Sequence, residues 1–205
     1  MALVIIIIAL TSLISIYAFS HAEIFDRLKF NAYVIKRQNQ WWRFFTYGVL
    51  HAGWAHLFIN MLVLYSFGRS VTDGYHILFG LKGYFFFILL YVGGVIFSIL
   101  ADYGKHMDDP GYNAVGASGA VSAVVFASII LHPSGSLYIL PLPFPIPSII
   151  FGVLYLVYSA YMGRRGTSNI GHNAHFWGSV YGIVLTLALK PKLALLFWEQ
   201  IRQIF

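Results

Sequence analysis

Six apolar blocks, each near the length of a bilayer span, take up most of this chain. They run over about 2–19, 51–69, 80–100, 115–131, 144–162 and 173–189. A helix needs roughly 20 mostly apolar residues to cross the hydrocarbon core. In lipid, the backbone of such a segment must pair with itself, which a helix does. The pattern therefore predicts an all-α membrane protein of six spans, folded as one domain over residues 1–205. Composition agrees: 59% of the residues are hydrophobic and 10% are charged, against roughly 25% charged in soluble domains. A soluble domain of useful size is excluded.

Local chemistry refines the blocks. The fourth is short and rich in Gly, Ala and Ser, which suits a helix buried among other helices. The fifth follows PLPFPIP, whose prolines forbid a helix until about Ile146. The sixth begins after the polar, glycine-bearing stretch GRRGTSNIG. The first, MALVIIIIALTSLISIYAF, lacks the basic n-region of a signal peptide and is long, so a retained span is expected. Between the first two blocks, residues 20–50 mix charges with Trp41, Trp42, Phe44, Phe45 and Tyr47, as a long interfacial loop does. For Trp41, an ordinary aromatic belt is reading enough.

Charge and cysteine content exclude other classes. The net charge is +6, but the basic residues are scattered over loops. Lipid headgroups are therefore expected as their partners, and nucleic acid is not. With no cysteine, disulfides, thiolate metal sites and a cysteine nucleophile are absent. Six spans put both termini on one side, with Arg69, Lys82, Lys190, Lys192 and Arg202. Arg27, Lys29, Lys36, Arg37, Arg43, Lys105, Arg164 and Arg165 lie on the other. Counted alone, the positive-inside rule places the termini outside.

Polar residues inside spans are costly and are functional candidates by default. HAGWAHLFIN carries His51, His56 and Asn60. On a helix, His56 and Asn60 sit about 40° apart, and His51 about 140° from His56. The pair can donate to an oxyanion, or simply bond between helices. VGASGAVSA carries Ser118 between Gly116 and Gly119. Ser118 is expected near a helix N-terminus, where free N–H groups favour negative charge. Taken alone, GxSG favours small-residue helix packing over chemistry. GHNAHFWGSVYG places His175, Gly178 and Gly182 on one helix face at about 0°, −60° and −20°. Glycines there let a neighbouring helix approach His175. His172, at the helix mouth, reads as a polar loop residue.

Together these clusters supply a hydroxyl nucleophile, an imidazole base and oxyanion donors, the three parts acyl transfer requires. No Asp or Glu lies within the predicted spans to orient His175, so a dyad is expected. A histidine metal transporter is a weaker reading, because metal sites normally add carboxylates. HExxH, the metalloprotease signature, does not occur. A non-catalytic helix binder on the same scaffold is the remaining rival.

In order and spacing, these residues resemble the rhomboid family of intramembrane serine proteases. The matching motifs are Trp42-Arg43, His51-x4-His56-x3-Asn60, Gly116-Ala117-Ser118-Gly119, and Ala174-His175 with Gly178 and Gly182. The resemblance implies a six-helix rhomboid bundle with cytosolic termini in the plasma membrane, which overrides the charge count. It implies Ser118 as nucleophile and His175 as general base, with no cofactor and no metal. His56, Asn60 and the Ser118 N–H would line the oxyanion hole. His51 and Arg43 would be structural supports, His51 tying span two to span four. Substrates would be transmembrane proteins, admitted past span five and the loop after it. Members often carry an aromatic four residues after the serine, packed on the histidine; here that position is Ser122. Phe126, Trp177 or Tyr181 is expected to take its place.

Overall fold

The structure is a computed structural model describing residues 1–138, 144–165 and 171–202. A helix stands at each of the six predicted places. These are α1 (Ala2–Phe19), α5 (Trp54–Phe79), α6 (Lys82–His106), α7 (Ser118–Leu131), α8 (Ser148–Arg165) and α9 (His172–Leu189). By length and hydropathy, α1 and α6 each suffice to cross a membrane alone. Two bent pairs also pass that test, Arg43–Val49 with α5, and α9 with α10 (Leu193–Arg202), which folds back by 113°. Large apolar side chains such as Phe58, Ile59, Leu62, Phe85 and Leu154 face outward, as lipid-facing residues do.

Several boundaries differ from expectation, each for a physical reason. Helix α5 runs about ten residues past its apolar block, because Thr72 hides its hydroxyl on the Gly68 carbonyl (2.6 Å) and Asp73 lies exposed near Arg69. Helix α6 continues past Ala101, which brings Asp102 into the interior. Residues 144–147 are not helical: β1 (Ser136–Leu137) pairs antiparallel with β2 (Ile146–Pro147), and α8 starts at Ser148. The first half of the proline run and most of the 163–171 loop lie outside the described residues.

Helix α7 is the axis of the bundle. Residues 119–130 are all buried, and α5, α6, α8, α9 and α10 all pack on it. A helix apolar on every side is stable only when enclosed in this way. Glycines set the closeness of that packing. A β-carbon on Gly178 or Gly182 would collide with the carbonyl oxygen of Gly119 or Ala123, and one on Gly94 would stand 2.9 Å from the Ala120 Cα. The backbones of α9 and α6 therefore rest directly on α7. At 14 residues, α7 is about 21 Å long, short of the roughly 30 Å hydrocarbon core. By itself α7 is therefore too short to reach from one side of that core to the other.

Between α1 and α5, the 20–50 segment folds into α2 (Ala22–Leu28), α3 (Ala32–Gln38), α4 (Arg43–Thr46) and a 3-10 turn (Tyr47–Val49). Trp41 and Trp42 are about half exposed, as an interfacial belt requires, whereas Phe44 and Tyr47 are buried.

The α7–α9 seam makes a direct prediction. Gly178→Ala should force the two backbones apart, at a cost of about 1–3 kcal/mol as for other overpacked cores. Thermal unfolding in detergent should show a lowered midpoint. An unchanged midpoint would mean that the helices do not meet at this distance.

Candidate active site

The site is assembled around the first turn of α7. Ser118 opens that helix, and it is only partly buried between fully buried Ala117 and Gly119. The first internal bond runs from the Val121 N–H to the Ala117 carbonyl (2.9 Å). The earlier N–H groups are thus left at the positive end of the helix, beside the serine hydroxyl. Gly116 has φ +127°, a conformation open to glycine and strained for other residues. It also yields space: a β-carbon there would stand 2.7 Å from Cε1 and 2.9 Å from Nε2 of His56. The His56 ring therefore lies over the turn that delivers Ser118.

The donor pair is arranged by α5 itself. His56 Nδ1 accepts a long bond from the Ala52 N–H (3.4 Å), which assigns the neutral ring's proton to Nε2. Nε2 is the nitrogen near Gly116. Asn60 is buried and gives one amide N–H to the His56 carbonyl (2.8 Å). An amide has two N–H groups, so one donor remains for another acceptor.

His51 departs from expectation. Because α5 starts at Trp54, His51 lies before the helix, and angles along a helix do not apply to it. Its Nδ1 bonds the Ser15 hydroxyl of α1 (2.9 Å), and its ring meets His56 edge-on at 4.9 Å. It thus ties the entry to α5 to α1, instead of tying span two to span four.

The base candidate arrives on α9. Gly119 and Ala174 are neighbours across the seam, which carries His175 to the α7 N-terminus. No hydrogen bond joins Ser118 to His175 among the described residues; nucleophile–base bonds often tighten only in the substrate complex. The aromatic on His175 is Tyr155 of α8, with centroids 6.2 Å apart and planes at 25°. None of the three expected residues holds this place. Tyr181 stacks on Phe97 and bonds the Leu89 carbonyl, Trp177 is exposed, and Phe126 backs Tyr155 instead. His172 is buried, with ring contacts to Tyr158 and His175. Asp102, brought inward by the longer α6, accepts from Asn173 Nδ2 (2.6 Å). It braces the first turn of α9 without touching the His175 ring.

The 20–50 segment clamps the approach to Ser118. Phe30 and Ala114 exchange backbone bonds of 3.0 and 3.1 Å, and the Gly116 N–H donates to the Tyr47 carbonyl (3.0 Å). Tyr47 also donates its hydroxyl to the Val95 carbonyl and meets Ser98 Oγ (3.1 Å). Arg43 is buried and holds the segment in shape. Its guanidinium donates to Gln40 Oε1 (2.7 Å) and to the carbonyls of Asp26 (2.9 Å) and Lys29 (2.6 Å). On the exposed rim, Lys36 pairs with Asp108 (2.8 Å); that ammonium and nearby Arg37 hold the carboxyl below its usual range.

Four elements thus converge on the first turn of α7. A family model described as the Rhomboid domain matches residues 38–192, a stretch that includes every one of these candidate residues. The chain belongs to the rhomboid family. It is 30% identical to "RHOMBOID-like protein 12, mitochondrial" of Arabidopsis thaliana, over 65% of this chain and 42% of that protein. It is 30% identical to "Rhomboid protease GluP" of Bacillus subtilis (strain 168), over 76% of this chain and 27% of that one. A third relative, "Putative rhomboid protease YdcA" of the same bacterium, is 27% identical over 75% of this chain and 69% of its own length. This rhomboid chain therefore matches less than half the length of the first two.

Arg43→Ala should strand carbonyls that the guanidinium now satisfies, at about 1–3 kcal/mol. Limited chymotrypsin digestion should then cut within residues 20–50 faster than in the parent protein. Equal digestion rates would show that Arg43 does not hold the segment together.

Proposed function

We propose that the chain is an intramembrane serine endopeptidase that cleaves transmembrane segments of other membrane proteins. The reading includes six spans in one domain over 1–205, cytosolic termini and a plasma-membrane location. The observation that carries it is the partly exposed Ser118 at the N-terminus of an otherwise enclosed, short helix. Glycine contacts across the α7–α9 seam bring the histidine-bearing helix beside it. A serine at a helix N-terminus, with His56 over the preceding Gly116 and the His175-bearing helix packed on Gly119, is suited to acyl transfer.

In this mechanism a substrate helix enters from the lipid beside α8 and unwinds near its end. Unwinding frees the scissile carbonyl from its own backbone, and residues of low helix propensity ease it. Ser118 Oγ attacks the carbonyl carbon while His175 takes the hydroxyl proton. The tetrahedral oxyanion accepts from His56 Nε2–H, the second Asn60 N–H and the Ser118 backbone N–H. The intermediate collapses as the protonated His175 gives its proton to the leaving amine. Water, activated in turn by His175, then hydrolyses the acyl-enzyme and restores Ser118. Water can reach this depth only through a protein-lined cavity. The reaction as written needs neither metal nor cofactor.

Ser118→Ala and His175→Ala should each abolish cleavage of a membrane-tethered reporter in proteoliposomes. Asn60→Ala should lose less, at most the roughly 3–4 kcal/mol of a single oxyanion donor. A serine-directed fluorophosphonate should label the parent protein and leave Ser118→Ala unlabelled. Cleavage that survives Ser118→Ala would sink the serine mechanism. Absence of both labelling and cleavage in the parent protein would favour a non-catalytic binder of membrane helices.

A further inference from the structure

Among the described residues, no carboxylate is bonded to His175. The buried carboxylate of Asp102 is engaged by Asn173, and no hydrogen bond reaches either ring nitrogen of His175 among the described residues. An imidazole meant to serve one hydroxyl must still be held in one rotamer. What lies against it is the Tyr155 ring, near parallel at 6.2 Å, inside the range of favourable aromatic contact.

Tyr155 is itself fixed with care. Its hydroxyl meets the Ser122 hydroxyl of α7 at 2.8 Å. Its ring is backed by Phe126 at 5.8 Å and Phe151 at 5.5 Å. One turn earlier, Gly152 lets α8 settle on α7, its missing β-carbon 3.3 Å from the Ile129 Cδ1 and 3.5 Å from the Phe126 Cε1. Buried Ser148, Gly152 and Ser159 lie on the same face of α8 as Tyr155, so the ring is on the side that faces the bundle. Ser122 is one turn beyond Ser118 on α7. The hydroxyl pair therefore refers the ring, and through it His175, to the helix that carries the nucleophile.

We propose that Tyr155 is the positioning residue for His175, its ring pinned by the Ser122 hydroxyl so that the imidazole faces Ser118. The proposal rests on the serine-protease reading. It assigns to α8 an aromatic support that the residue four positions after the serine cannot supply, because a serine stands there. Ser122 in turn becomes the anchor of that support.

The test is a double-mutant cycle on a membrane-tethered reporter in proteoliposomes, with Ser118→Ala as the inactive control. Ser122→Ala and Tyr155→Phe each remove one end of the hydroxyl bridge and keep the ring. Each should lower kcat several-fold with KM unchanged, and the double variant should be no worse than either single. Tyr155→Ser removes the ring and should lower kcat about 10- to 100-fold, with the fluorophosphonate labelling rate falling in parallel. The exchange variant S122Y/Y155S returns a ring from the other helix and should recover at least about ten-fold in kcat over Tyr155→Ser. Additive losses in the cycle, a Tyr155→Ser kcat equal to the parent's, or failure of the exchange to recover kcat would each overturn the proposal. Should Tyr155→Ser lower the thermal midpoint, the cycle of the two conservative variants decides. An active Ser118→Ala control would instead refute the underlying serine mechanism, so the two failures read differently.

Discussion

At Gly178 and Gly182 the backbone of α9 rests on carbonyl oxygens of α7, with no side chain between, and the rest of the site hangs on that contact. Helices in lipid gain little from hiding apolar surface, because the tails are equally apolar; close van der Waals packing of small residues takes over. Here that packing has a second effect. It fixes the separation of the two helices that carry the candidate residues Ser118 and His175. The α6 glycine, Gly94, presses on α7 from another side, so α7 has little room to rotate.

The 20–50 segment solves a different problem. A helix of about 21 Å is shorter than a bilayer core, and backbone groups left unpaired in such a core would cost several kcal/mol each. The segment covers the chain leading into α7 and bonds to it. Phe30 pairs with Ala114, Asn31 bonds the Pro110 carbonyl (3.0 Å) and Asn113 Oδ1 (3.1 Å), and the Tyr47 carbonyl takes the Gly116 N–H. Arg43 supports the cover from beneath by gathering its loop carbonyls. The loop is therefore part of the candidate site's construction, bonded to the segment that leads into α7.

Helix placement was largely legible in the chain because hydropathy is a local property. The starts of α6, α8 and α9 all fall within a few residues of the apolar edges. The end of α5 was not legible, because Thr72 and Asp73 read as loop residues until the side-chain bond of the first is seen. The Ser118, His56 and His175 motifs stood out for being polar in apolar surroundings, and the structure gathers their elements about one helix end. Partners from distant elements were hidden. His51 looked like a helix residue aimed at span four, yet it precedes α5 and bonds Ser15. Tyr155 looked like one more aromatic in a span. A face made of Ser148, Gly152, Tyr155 and Ser159 could have been read from helical spacing. Nothing local, however, says that this face meets Ser122 and His175. Asp102 was missed because the apolar block ends before it, while the helix does not.

The order of the helices along the chain has a consequence for biogenesis. Ser118 is synthesised on α7 before α8 and α9, so the proposed base, His175, and the Tyr155 ring against it both arrive later. On the proposed mechanism, a partly synthesised chain, or one cut before α9, holds Ser118 without His175. If the proposed dyad holds, proteolytic competence waits until α9 docks by its glycines.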